Sequence, residues 1–195
     1  ADMSGSDVKA VFIEADTDAA DPDGIAQSQT PSGAGNLTIN GAKASGGVAT
    51  FNAARQVTIT SAGDDQARTF TITGTDVNGD ALTEAVAGAD TAAATSTKHF
   101  LTVTQIAVDD ATAGAVTAGM NTSAIAVVFA GRSRLKGAFI VNSAHAGSVS
   151  FRDSSDAGES GTTLLQLGTV ASATAERDVT IPEQGISFSS GLYVP

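Results

Sequence analysis

The sequence predicts an all-β protein, built from antiparallel β-sandwich or jelly-roll-like units with very little helix. Apolar and polar residues alternate with a period of two along most of the chain. The alternating runs are short, and Gly, Asn, Asp or Ser fills the gaps between them, as in sandwiches and barrels. No window of useful length places apolar residues at i, i+3, i+4 and i+7, the stripe a packed helix requires.

Taken in order, "DVKAVFIEA" predicts a first strand over 8–15, and an acidic loop without strand pattern follows over about 16–35. Short strands are expected at 36–40 and 48–52. In "RQVTITSA" Val57 and Ile59 oppose Thr58 and Thr60, and in "RTFTITGT" Phe70 and Ile72 oppose Thr69, Thr71 and Thr73. A strand over 81–88 comes next, then "ADTAAATSTK", which allows one helical turn at most. Further strands are expected at 99–108, 114–119, 124–130, 136–143, 147–153, 163–168, 176–182 and 186–194. All eight phenylalanines fall inside these strand candidates, where core residues belong.

Charge divides the chain. Residues 1–130 carry fifteen acidic and five basic side chains (net −10), whereas 131–195 carry six and five (net −1). With the polar, Gly-containing stretch "AGRSRLKGA" at the boundary, this predicts three parts. They are an N-terminal strand or arm with its acidic loop (1–35), a β domain (36–130) and a smaller C-terminal β domain (131–195).

Composition removes several function classes. Charged residues are only 16% and apolar residues 42%, which argues for a packed core rather than a solvated, disordered chain. A net charge of −11 disfavours general binding to nucleic-acid phosphate or anionic lipid. The absence of cysteine excludes disulfides, thiolate metal sites and cysteine nucleophiles. No run approaches the roughly 20 apolar residues of a membrane-spanning helix, and "ADMSGSDVKA" lacks a signal-peptide pattern. Neither nucleic acid nor membrane is an expected partner.

"TDVNGDA" contains Asp76, Asn78 and Asp80, the spacing with which calcium loops begin. Such a loop also requires glycine at its sixth position and a bidentate glutamate at its twelfth, and here these are Ala81 and Ala87. Asn78-Gly79 between two alternating runs is instead a hairpin signal, pairing 68–75 with 81–88 through a type I′ turn. The acidic residues Glu14, Asp16, Asp18, Asp21 and Asp23 also fit no calcium loop. No metal or cofactor is expected. His99 and His145 are distant in sequence and are read as strand-end and turn residues. "GESG" at 158–161 is not a nucleophile elbow. The chain is therefore not expected to be an enzyme.

Two stretches are candidates for partner contact. In "RSRLK" an extended backbone puts Arg132, Arg134 and Lys136 on one face and Leu135 on the other. That stripe either guards an edge strand against unwanted pairing or docks on an acidic partner surface. Val11, Phe12 and Ile13, consecutive apolar residues before the acidic loop, are the candidates for an arm that crosses to a neighbouring copy.

The runs "RQVTITSAGDDQARTFTITGTDVNGDALTEAVAGADTAAATSTKHFLTVTQIAV" (55–108) and "KGAFIVNSAHAGSVSFRDSSDAGESGTTLLQLGTVASATAERDVTIPEQGISFSSGLYV" (136–194) resemble segments of small structural proteins from tailed-bacteriophage virions. The resemblance implies a non-enzymatic virion component present in many copies. Within that class a capsid decoration (cement) protein is favoured, a homo-oligomer, in particular a trimer, on the outer face of the shell and bound to the major capsid protein or another virion protein. A tail-associated or head-fibre subunit is the alternative. A secreted Ig-like adhesion or carbohydrate-binding module is a third reading, disfavoured by a chain with no Trp and one Tyr, Tyr193.

Overall fold

A computed structural model of the chain describes residues 10–13, 19–141, 147–169 and 176–195. The fold is all-β, and no helix occurs among the described residues. Eleven strands belong to one hydrogen-bonded antiparallel sheet. Its main path begins at β12 (Thr162–Thr169) and passes through β11 (Gly147–Asp153) and β15 (Leu192–Val194). It continues through β8 (Val116–Phe129), β4 (Val48–Ser61), β7 (Ala93–Val108) and β5 (Thr69–Thr75) to β6 (Ala81–Ala87). Off this path β1 (Asp21–Gln29) pairs with β8, β2 (Gly35–Asn36) with β7, and β3 (Ala44–Ser45) with β4. Two further ribbons occur among the described residues: β10 (Gly137–Val141) with β13 (Glu176–Thr180), and β9 (Ser133–Leu135) with β14 (Ile186–Phe188).

The sheet folds over on itself. Asn78, in the β5–β6 loop, lies 3.1 Å from the hydroxyl of Tyr193 on β15. Four inter-strand steps separate β5 from β15, which in a flat sheet would hold them about 19 Å apart. Irregular pairing supplies the bends: β4 and β7 lose register between Thr50 and Arg55, and again between Gln56 and Thr58. The result is a sandwich-like interior.

Three apolar clusters fill it. The largest takes alternate residues of β4 and β5 (Val57, Ile59, Phe70 and Ile72) and, where the register of β7 shifts, Phe100, Val103 and Ile106 at intervals of three. A second joins Ala54, Val77, Ile125 and Tyr193, and a third joins Phe151, Leu167, Phe188 and Leu192. The sheet and the second cluster both cross the 130/131 boundary, because β15 adds to the end of β8 through Tyr193↔Val127 and Val194↔Ala126.

Several strands differ from expectation. Residues 21–29 are not loop but β1, whose pairing jumps from Asp21↔Met120 to Ala26↔Ala118. That bulge consumes "PDGI" and erases the alternation that marks a strand in sequence. Gly119 makes the pairing possible, since a Cβ there would lie 1.9 Å from the Asp21 carbonyl oxygen. Of the expected strand 8–15, residues 10–13 are irregular and the remainder lies outside the described residues. "ADTAAATSTK" makes no helical turn; from Ala93 it is already β7. The expected strand 186–194 is two strands in different sheets. Between them the Asp153 carboxylate accepts bonds from the Ser189, Ser190 and Gly191 amides and the Ser189 hydroxyl, turning the chain from β14 to β15.

Candidate functional site

The β5–β6 hairpin pairs as expected, from Thr69↔Ala87 to Thr75↔Ala81. Its turn is not type I′, because only Gly79 has positive φ (87°). The Gly79 amide donates to the Asp76 carbonyl, and the Asp76 amide donates to the Asp80 carbonyl. This is a type I turn closed by a glycine bulge. The Asp76 carboxylate accepts the Asn78 and Asp80 amides at 2.8 and 3.0 Å, so its Oδ1 caps the turn. Among the described residues no three His, Asp or Glu side chains converge to hold a metal ion.

The basic stripe alternates as expected: Arg132, Arg134 and Lys136 are exposed, and Ser133 and Leu135 are half-buried. It runs along β9, and two of its cations bind the turn before β14. Arg134 Nη1 donates to the Gln184 side chain (2.9 Å) and Lys136 Nζ to the Glu183 carbonyl (2.6 Å). Val11 and Phe12 are exposed, Phe12 at 89%, and Ile13 is half-buried. On the β10–β13 ribbon, Ala138, Ile140 and Val179 pack onto the third cluster. The other face presents Phe139 (62% exposed) opposite Asp178, and Val141 (64% exposed) opposite Glu176. Tyr193 is buried.

One constellation was not legible in the sequence. Two bulges flank Gln56 of β4. On β8, residues 121–123 bulge between Val57↔Met120 and Arg55↔Ala124; on β7, residues 96–98 bulge between Gln56↔His99 and Thr58↔Thr95. Side chains replace the lost ladder bonds. The buried Ser96 hydroxyl accepts the Val57 amide, and the Glu84 carboxylate accepts the amides of Thr97 and Lys98. Asn121 Nδ2 donates to Gln56 Oε1 (2.9 Å), and Asn121 Oδ1 accepts the Ser123 amide (2.9 Å). Bulges re-aim side chains, and here they turn Ser123 and His99 toward each other.

His99 is therefore not a lone strand-end residue. Its Nε2 lies 2.9 Å from Ser123 Oγ, and its Nδ1 lies 2.8 Å from Glu159 Oε2. Glu159 Oε1 also accepts the His99 backbone amide at 2.5 Å. The loop that carries Glu159 is tied internally. Arg152 donates to the Gly158 carbonyl, the Ser154 hydroxyl accepts the Gly158 amide, and Asp156 accepts the Ser160 amide and hydroxyl. Burial raises the Asp156 pKa, but its bonds from Ser154 and Ser160 outweigh that and hold it below the usual carboxylate range. His145 lies outside the described residues.

No family model, curated protein or solved structure matches the chain.

Proposed function

We propose that the chain is a non-enzymatic structural protein of a tailed-bacteriophage virion, a decoration (cement) protein that coats the outer shell as a homotrimer. The observation that carries this reading is where apolar surface stays exposed. Phe129, Phe139, Val141 and Leu164 are exposed large apolar residues, and Phe139 and Val141 share one face of the β10–β13 ribbon. Contiguous exposed apolar side chains mark interaction surfaces. They lie in or beside the less acidic C-terminal part, which also carries the exposed stripe Arg132, Arg134 and Lys136. An acidic body with one less repulsive, partly apolar end suits attachment by that end to a protein shell. The exposed Val11 and Phe12 support the N-terminal segment as the part that reaches a neighbouring copy.

Co-sedimentation with empty heads tests the reading. Wild type should pellet with the heads, less so as salt rises. Arg132→Glu/Arg134→Glu/Lys136→Glu and Phe139→Glu/Val141→Glu should each remain in the supernatant. Deleting residues 1–13, which spares β1, should weaken self-association measured by light scattering more than it lowers the melting temperature. If both substituted proteins pellet like wild type, the C-terminal end is not the docking surface. If wild type pellets with tails and not heads, the tail-associated assignment replaces this one.

A further inference from the structure

Ser123, His99 and Glu159 come from β8, β7 and the β11–β12 connection, and they form an unbroken hydrogen-bonded line. A carboxylate on Nδ1 assigns the imidazole proton to that nitrogen, so Nε2 offers its lone pair to the Ser123 hydroxyl. Glu159 holds His99 at both the ring and the backbone amide, which fixes the plane of the ring. The base is shielded, with the His99 side chain 11% exposed, while Ser123 is open to solvent. Nucleophile, base and orienting carboxylate thus stand in the order that activates a serine for acyl transfer.

We propose that Ser123 is an acyl-acceptor site, modified by small activated esters, with His99 as its general base and Glu159 as a positioning residue. Ser123 Oγ bonds to the ester carbonyl carbon while its proton passes to His99 Nε2. The tetrahedral intermediate then collapses, the bond to the leaving alkoxide breaks, and the alkoxide takes that proton. The balance is ester plus serine giving acyl-serine plus alcohol. The Ser123 amide is already donated to Asn121 Oδ1, so it does not serve the developing oxyanion. The acceleration is therefore that of general-base assistance, about 10²–10⁴-fold over an ordinary surface serine. The expected outcome is a single durable modification rather than rapid turnover, so the site is compatible with a structural role and independent of shell docking.

The test is incubation of the full chain with p-nitrophenyl acetate, followed by intact-mass measurement and peptide mapping. One acetyl group should map to Ser123, and the Ser123→Ala protein should lack it. His99→Asn should slow labelling at Ser123 to the rate of other surface hydroxyls. Glu159→Gln should slow labelling while the melting temperature confirms a folded protein. An alkyl fluorophosphonate, whose P–F bond breaks as Ser123 Oγ bonds to phosphorus, should label the same residue. Acetylation at Ser123 no faster than at other hydroxyls, or unchanged in His99→Asn, overturns the proposal whatever the head-binding result.

Discussion

Asn78 and Tyr193 lie 115 positions apart, and the Asn78 side-chain Nδ2 donates to the Tyr193 hydroxyl at 3.1 Å. The pair pins the tip of the β5–β6 hairpin to the last strand of the chain. Beneath it Val77, Ala54, Ile125 and Tyr193 form the second apolar cluster. Closure of the folded-over sheet thus depends on residues from near the C-terminus.

Tyr193→Phe should lower unfolding free energy by about 1 kcal/mol, the net worth of one hydrogen bond. Tyr193→Ala also empties the cluster and should cost about 3–5 kcal/mol. Urea denaturation of the single variants and of Asn78→Ala/Tyr193→Phe gives the coupling between the two side chains. A coupling of zero would mean that the bond does not hold the hairpin.

Acid should weaken the junction between β14 and β15. Hydrogen bonds from the Ser189 amide and hydroxyl, then from the Ser190 amide, outweigh a raising effect of burial and, with the Gly191 amide, depress the Asp153 pKa to about 2. The folded value lies below the unfolded value of about 3.9, so this contribution is complete above pH ~4 and disappears as pH falls through the folded value. Asp109, held down chiefly by the Thr69 amide, shifts in the same direction. Asp153→Asn should therefore be less stable than wild type at neutral pH, and the difference should shrink as the pH approaches 2. Denaturation midpoints across that range check it, and a constant difference would contradict it.

Gly119→Ala tests β1 itself. The added Cβ would lie 1.9 Å from the Asp21 carbonyl oxygen and 2.4 Å from the Pro22 carbonyl carbon. The substitution should cost about 1–3 kcal/mol or more by overpacking. Hydrogen exchange should show faster exchange of β1 amides with little change in β5. Wild-type stability in this variant would mean that residues 21–29 do not pack against β8.

The sequence carried the fold class because each central strand buries one face, and burial of one face imposes a period of two on "VTIT" and "TFTIT". It did not carry strand length. Residues 96–98 and 121–123 interrupt the alternation and look like connections, yet they are bulges inside β7 and β8. β1 was hidden for the same reason. The hairpin was visible through Asn78-Gly79, but the turn type was not, since it depends on the Asp76 carboxylate capping two amides. Exposure of Arg132, Arg134 and Lys136 followed from alternation alone. The line Ser123, His99, Glu159 left no local motif, because its members meet only after two bulges and the 154–160 loop are in place. The sole trace was a histidine next to a break in the pattern.

The most direct test of the shell-coating reading is the amount and location of this chain in purified virions. Quantitative mass spectrometry should find it in a copy number comparable with that of the major shell protein, and surface labelling of intact particles should reach it. Its absence from particles would contradict the account, as would a few copies confined to the tail.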